Sequence, residues 1–495
     1  MNILIDTNVF IQFEDYKIID NSINELHKLS NLYNFNIFIH PASKEDVNQD
    51  KDIKRRNITL SKMQKYSILE KAPSPSDEEL AEYDLFHNKS NDKIDNTILY
   101  ALIKNTVNIL ITQDIRLIKK AKRLQLESRV MFVQQALTIF KQLHQVHQVT
   151  YPQMFDKYVY ELDKDDKIFD SLKKDYKEFK EWFQEICAEH RKCWIHSYNN
   201  TNIIGGLLIY KHENNPIVNS NDRALRGQCL KISTFKIAED MQGMKLGELF
   251  IKKVFHYAKD NNYDYVYITA QKDKQEYLVN ILEDFGFYHF GKCSKDRDDV
   301  YVKIIPTEYI KDTTLSKLDY HKKYSPFTYC DNTVNKYIIP IIPDYHNILF
   351  PELEDEDRLF YTNPSAGNTI KKAYLSHSNT STVKEGDLIL FYRSKDNQAI
   401  TTFGIVERAQ ITDNLDEIIE MVAKRTVFSY RQIKEMSKKK TNIILFRLIG
   451  HFDKPFITKE WLEKEEEYKT CQSICKIEDK LFKKIITRSN INYCV

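Results

Sequence analysis

The amino-acid sequence predicts a multidomain α/β protein: a parallel α/β sheet unit first, an α+β unit in the middle and a small β-barrel at the end. Three observations carry this reading. Apolar runs of strand type alternate with helical stretches in the first third of the chain, the order that builds a parallel sheet. In the middle, a hairpin signal is followed by a strand, a glycine-bearing turn and a helix. Beyond residue 336, short apolar runs recur between turns at barrel spacing. A length of 495 residues, at about 100–200 residues per domain, accommodates three domains. We place them at 1–150, 151–305 and 336–495, with 306–335 as a linker.

Composition narrows the classes of function. Lys plus Arg (73) nearly cancels Asp plus Glu (71), so bulk charge excludes a generally basic nucleic-acid binder. Any RNA affinity must come from local patches. No run approaches the roughly 18 apolar residues of a membrane span, and the sequence begins directly with a strand, so a soluble cytoplasmic protein is expected. Eight cysteines lack zinc-ribbon spacing; Cys187 and Cys193, like Cys471 and Cys475, have no matching second pair. Reduced thiols are expected.

Taken in order, Met1 to Ile5 is an apolar strand that delivers Asp6 at its C-terminal edge, followed by Thr7 and Asn8. Ligands of open α/β sheets sit at that edge. A helix follows over 15–33, then the strand FNIFIH (35–40) ended by Pro41. Asp46 lies in HPASKEDVNQD, Asp95 in NDKIDNTILYAL, and Asp114 in NILITQDIRLI at the end of a second apolar strand. Four carboxylates in one cleft repel one another unless a divalent cation neutralises them. Such a hard-oxygen site suits Mg²⁺ or Mn²⁺. Each aspartate alone reads equally as an N-cap or turn residue. Glu45 competes with Asp46, and Asp92 stands one helical turn before Asp95.

The pair IDTNV and ILITQD resembles the PIN-domain nucleases over roughly residues 1–140. The resemblance implies that Asp6, Asp46, Asp95 and Asp114 are catalytic, metal-binding acids, with Asn8 and Thr112 as polar helpers. A bound metal would activate water against a phosphodiester, usually of RNA. The helix after Asp114 carries Arg116, Lys119, Lys120, Lys122 and Arg123 without an acid. These side chains either contact RNA phosphates or form a solvated face.

A domain boundary falls near Tyr151 and Pro152, after a stretch (133–165) read as helical or connecting. FDSLKKDYKEFKEWFQEI is an amphipathic helix pair, and KCWIHSYNN with IIGGLLIYK reads as a hairpin. CLKISTFKIAED is a strand leading into MQGMKLGELFIKKVFHYAKD. The strand YDYVYITA, a helix over 275–284 and Gly286-Phe287 follow. This order resembles the GNAT N-acetyltransferases over roughly 165–305. The resemblance implies that Gln242, Gly243, Met244, Lys245, Leu246 and Gly247 cradle the pyrophosphate of acetyl-CoA on backbone N–H groups at a helix N-terminus. Where the family often carries a tyrosine acid, this chain has Leu282, with Tyr277 and Tyr288 nearby but off register, so the general acid stays unassigned. Glu239 is a candidate base for an amine, or a helix-start acid favoured by the dipole.

The short strands YIIPIIP, RLFYT, GDLILFYRS, AITTFGIVE and NIILFRLIG, interrupted by helices near 414–425 and 429–437, resemble PUA-like barrels of the EVE and ASCH type over about 336–470. That resemblance implies RNA or modified-base binding. Tyr392, Arg393 and Ser394 are the candidate contacts, Tyr374 and Phe428 could add a stacking face, and Lys438 to Lys440 form a basic run. The tail from 463 reads as helical.

The combined expectation is an RNA-cleaving, metal-dependent nuclease joined to an acetyl-CoA-dependent acetyltransferase and an RNA-holding module, with tRNA the foremost substrate and self-association left open. A toxin or defence role would fit that combination by analogy alone. Two alternatives stand beside it: an acetyltransferase on a non-catalytic PIN scaffold, and a non-enzymatic sensor of RNA and acetyl-CoA.

Overall fold

The computed structural model describes residues 1–11, 17–64, 66–85, 90–144, 154–175, 177–198, 201, 203–219, 223–241, 245–271, 275–293, 298–353, 369–458, 472–491 and 494. The expected strand RLFYT, the boundary pair Tyr151-Pro152, Cys471 and the beginning of the tail lie outside them. The chain divides into two compact units. The first comprises residues 1–146 with 412–441, and the second comprises 147–411 with 442–495.

The first unit opens with β1 (Asn2–Ile5), α1 (Thr7–Ile11), α2 (Lys17–Leu32), β2 (Asn36–Ile39), α3 (Pro41–Asn48), α4 (Ile53–Met63), β3 (Ser67–Ile68), α5 (Asp77–Glu82) and α6 (Ser90–Ile103). It continues with β4 (Ile109–Ile111), α7 (Ile115–Arg123), β5 (Val130–Met131) and α8 (Val133–His144). The five strands pair in the order β3-β2-β1-β4-β5, and every pairing is parallel. β1 and β4 are uninterrupted apolar runs because both faces of a parallel sheet are covered; Ile3, Leu4, Ile5, Ile109, Leu110 and Ile111 are fully buried. Strand order reverses between β1 and β4, so the crevice at their C-terminal ends is the place such a sheet offers a ligand. Pro41 starts α3 at its first turn, where its missing N–H costs nothing, and His40 caps it, Nδ1 accepting from Ala42 N at 3.2 Å.

The second unit begins with β6 (Phe155–Tyr158), α9 (Asp170–Asp175), α10 (Phe179–Ala188), β7 (Lys192–Ser197), β8 (Ile204–Asn214) and β9 (Gln228–Ile237). Then come α11 (Leu246–Asp260), β10 (Tyr265–Ala270), α12 (Glu276–Asp284), β11 (Tyr288–Lys292) and β12 (Asp299–Ile304). These strands form one sheet in the order β11-β12-β10-β9-β8-β7-β6. All neighbours are antiparallel except β9 and β10. β6 lies within the stretch expected to be helical or connecting. Its sequence, FDKY, is a half-exposed edge with no apolar alternation to announce it. The helix pair α9 and α10 packs Phe169, Phe179, Phe183 and Ile186 against Cys193, Leu207 and Ile209 of the sheet.

The stretch 306–335, read as a linker with short elements, contains one helix. It holds α13 (Lys317–Tyr324), whose Tyr320 and Tyr324 pack with Phe327 in a small aromatic core. Next come β13 (Lys336–Ile341), α14 (Pro343–Leu349), β14 (Lys371–Ser376), β15 (Leu388–Arg393) and β16 (Ala399–Thr412). Two helices, α15 (Leu415–Val422) and α16 (Tyr430–Met436), belong to the first unit. The chain finishes with β17 (Thr441–Ile457), β18 (Cys475–Ile477) and α17 (Asp479–Arg488). The strands expected to build a barrel follow the order β14-β17-β16-β15-β13-β18. Among the described residues no pairing joins β14 to β18. The thiol expectation fails at Cys330 and Cys494, which form a disulfide with Cα atoms 5.3 Å apart. Cys187, Cys193, Cys229 and Cys293 are free.

Candidate functional sites

The crevice between β1 and β4 gathers the residues expected there. Asp6 is 1% exposed; Thr7 N donates to its Oδ1 at 2.7 Å and Thr112 Oγ1 to its Oδ2 at 2.6 Å. Thr112 Oγ1 in turn accepts from Asn8 Nδ2 at 3.1 Å and from Asp114 N at 2.9 Å. Asn8 Oδ1 accepts from Gln113 N at 3.0 Å. Asn8 and Thr112 therefore tie the two strand ends together around Asp6. Asp114 is the N-cap of α7, Oδ1 accepting from Arg116 N at 2.6 Å.

The acids feel one another's charge. Burial pushes Asp6 up to about 6 against the pull of its two hydrogen bonds, and Asp114 and Asp46 add to the rise. Asp95 is pushed up to about 7, by burial first and then by Asp6 and Asp114, while Lys120 opposes the rise. Asp46 is also raised, by burial and by Asp50. Glu45 is exposed and Asp46 half-buried, which decides between those two neighbours. Yet among the described residues no three His, Cys, Asp or Glu side chains are grouped so as to hold a metal ion. Each oxygen of Asp6 accepts one hydrogen bond, from Thr7 and from Thr112, and Asp114 Oδ1 caps its own helix, so lone pairs remain on both carboxylates. The four acids form a charge cluster at the strand ends. Beside it, Thr7 Oγ1, His40 Nε2 and Ser43 Oγ, on β1–α1 and β2–α3, are buried without hydrogen-bond partners among the described residues.

The basic helix is partly engaged. Lys120 Nζ donates to Asn96 Oδ1 at 2.6 Å, and Arg123 pairs with Asp84 at 2.7 Å. Lys119 is half-buried and Lys122 exposed.

In the second unit, β9 and β10 pair only from Cys229↔Tyr265 to Ile232↔Ile268. β9 runs on to Ile237, so past Ile232 its edge on the β10 side carries no strand partner. At the mouth of this opening α11 begins. Its N-cap, Lys245, has a left-handed backbone (φ 61°) and makes no side-chain cap, leaving the first-turn N–H groups to other acceptors. Lys245 Nζ binds Glu248 Oε1 at 2.7 Å; burial alone would raise Glu248, but Lys245 and Lys371 hold it below the usual range. Leu246 is buried core. At Gly247 an added Cβ would meet only Ile281 Cδ1, at 3.7 Å. Gln242, Gly243 and Met244 lie outside the described residues. Glu239 stands exposed in a single turn after β9. Leu282 is fully buried, which accounts for the missing tyrosine there. Tyr277 is half-buried on α12, and burial raises the half-buried Tyr288.

The structure places the expected RNA contacts at the end of β15. Tyr392 is 8% exposed and belongs to the core with Leu390, Phe403 and Ile405. Arg393 is bound to Asp396 at 2.7 Å and lies 3.4 Å from His346 Nδ1. Ser394 Oγ donates to Ile341 O at 3.2 Å. Tyr392 thus packs in the core, while Arg393 and Ser394 are half-buried at the strand end. Tyr374 donates to Pro340 O at 2.8 Å. Phe428 belongs to the first unit, as does the run from Lys438, which pairs with Glu435 at 2.6 Å.

Residues 157–287 match the model of the acetyltransferase (GNAT) family. No curated protein matches the chain. Among solved structures, an acetyltransferase of the GNAT family from Streptococcus agalactiae is 14% identical, covering 32% of this chain and 100% of its own, with a TM-score of 0.24. One from Staphylococcus aureus Mu50 is 13% identical over 31% of this chain and 99% of its own, at 0.22. The ASCH protein of Zymomonas mobilis is 11% identical over 31% of this chain and 94% of its own, at 0.25. Among the described residues no helix is long and apolar enough to cross a membrane.

Proposed function

We propose that this protein transfers the acetyl group of acetyl-CoA to an amine. The carrying observation is the family match, which spans the parted strands β9 and β10 and the uncapped start of α11. Acetyl-CoA supplies a thioester activated for acyl transfer. The chain's residues fit such a ligand in two ways. The unpartnered edge of β9 past Ile232 offers backbone groups to an extended amide chain, as an added strand would use them. The first turn of α11 offers N–H donors and the positive end of its dipole to a pyrophosphate. Glu239, exposed after β9, is placed to take a proton from an incoming ammonium. Titrating acetyl-CoA into the full chain tests this. Gly247→Glu should abolish binding by adding bulk and negative charge at the phosphate end. Gly247→Ala, for which there is room, should keep the fold as a control. Unchanged affinity in Gly247→Glu would remove the assignment.

A second activity is favoured by a separate observation, the mutual charge of Asp6, Asp46, Asp95 and Asp114 at the switch point of a parallel sheet. We infer that this unit hydrolyses RNA phosphodiesters with Mg²⁺ or Mn²⁺. A divalent cation there would be held by these carboxylates and would supply an activated water. The chain's part is to hold the acids, through Asn8 and Thr112, and to set Lys120 against their charge. RNA cleavage with Mn²⁺ should be lost in Asp6→Asn. Full cleavage by that variant would return the cluster to a structural role.

A further inference from the structure

We propose that a cavity of about 320 Å³ bounded by α11, α13 and β17 is a binding site for a nucleoside monophosphate, separate from the acetyl-CoA cleft. One stripe of α11 lines it: Lys252, Phe255, His256, Lys259 and Asp260, at the spacing that brings helical side chains onto one face. Lys252 lies six residues beyond Leu246, hence about 9 Å further along the helix. The cavity therefore sits toward the opposite end of α11 from the turn assigned to pyrophosphate. Its size is at the lower limit of small-molecule sites, about 300–1,000 Å³. That fits a mononucleotide better than a molecule the length of coenzyme A.

The walls supply the three kinds of contact such a ligand needs. Phe255 and Phe285 give apolar ring surface. Arg447, 2% exposed, lies at the base. Its Nε donates to Glu407 at 2.6 Å and its Nη2 to Asp284 at 3.2 Å, while Nη1 makes no hydrogen bond among the described residues. A guanidinium fixed on two sides, with a donor left over, is preorganised for a phosphate oxygen. Asp284 is shared with Lys371, so Arg447 and Lys371 balance the two carboxylates behind them. The rim then carries Lys252, Lys259 and Lys322, the last paired with Asp319 at 3.0 Å, against Asp260 and Asp453. The carbonyl end of α11 opposes an anion with roughly half a charge, which the lysines and the Arg447 donor outweigh at contact range. His321 also lines the cavity, with Nδ1 3.3 Å from Phe327 O. Burial keeps this imidazole neutral, pushing it down to about 3. With Nδ1 donating to that carbonyl, Nε2 is an acceptor, suited to a base or ribose donor.

The test is calorimetric titration of the full chain with adenosine, cytidine, guanosine and uridine monophosphates, and with inorganic phosphate and the free nucleosides. At least one monophosphate should bind more tightly than either of its halves. The double variant Lys252→Glu, Lys259→Glu alters only partly or fully exposed positions, and should weaken that binding about tenfold or more with acetyl-CoA affinity unchanged. Arg447→Lys keeps the charge and loses the fork; it should weaken binding while its melting curve reports whether the fold survives. Absence of binding by all four at millimolar concentration would overturn the proposal. So would unaltered binding in the double variant, or displacement of the nucleotide by acetyl-CoA.

Discussion

At the scale of single residues, the first unit stores unfavourable charge. The folded Asp95 holds its proton up to about 7 and Asp6 up to about 6, whereas an unfolded aspartate releases it near 3.8. Between these limits the native state binds more protons than the unfolded state, so stability falls as pH rises, by up to about 1.4 kcal/mol per pH unit for each such carboxylate. Replacing Asp95 by Asn removes one share of this loss. In metal-free buffer, Asp95→Asn and the wild type should melt alike near pH 4. The variant should be the more stable by pH 7, with the gap widening through the window. A constant difference across that range would mean Asp95 is not held protonated. The sequence showed which acids to watch but not which of Glu45 and Asp46 turns inward. Adjacent positions on a helix differ by about a quarter turn, and only the phase of α3 against the sheet decides.

Among elements, the two parallel-strand ends were legible because both signals are local: an apolar run and the acid that ends it. The same holds for the start of α11 and for α9 with α10, where helical periodicity is strong. What stayed hidden depends on partners distant in sequence. α15 and α16 were read as interruptions of the last sheet, since periodicity reveals an apolar face and not what covers it. In the structure, Glu420 of α15 pairs with Arg129 at 3.0 Å, both side chains at most 13% exposed. Asn108 Nδ2 donates to Glu420 at 2.7 Å, and Lys424 donates to the carbonyls of Glu127 and Val130. Deleting one member of a buried pair strands the other, at a cost of about 3–5 kcal/mol. Glu420→Ala should therefore lower the stability of the first unit by several kcal/mol in denaturant titration. The paired change Glu420→Ala, Arg129→Met should not recover it, because Arg129 also donates to Asn108 O, Val107 O and Asn105 Oδ1 and its loss leaves those acceptors unpaired. A loss below about 1 kcal/mol, the scale of a surface pair, would mean α15 is held by its apolar face alone. The burial of Tyr392 at the end of β15 has the same origin. Tyr392 looked available because it ends a strand, yet the bulge between Phe391 and Tyr392 precedes a side chain that joins the core.

For the whole molecule, the division into residues 1–146 with 412–441 and the remainder puts the acid cluster and the acetyl-CoA elements in different compact units. Ligands that bind only the native form stabilise whichever unit holds their site, by about 2.7 kcal/mol at a free concentration near one hundred times Kd. If each unit unfolds as its own cooperative block, calorimetry of the full chain should resolve two transitions. Acetyl-CoA should raise only the one belonging to the second unit, which contains β9, β10 and α11. Millimolar Mn²⁺ should raise only the other, and Asp6→Asn should erase that response while leaving the acetyl-CoA shift intact. The crossed design keeps the two proposed activities separable. Loss of the Mn²⁺ shift alone bears on the acids, and loss of the acetyl-CoA shift alone bears on the start of α11. A single transition displaced by either ligand would show that the two units unfold as one, and would make any measured stability a property of the entire chain.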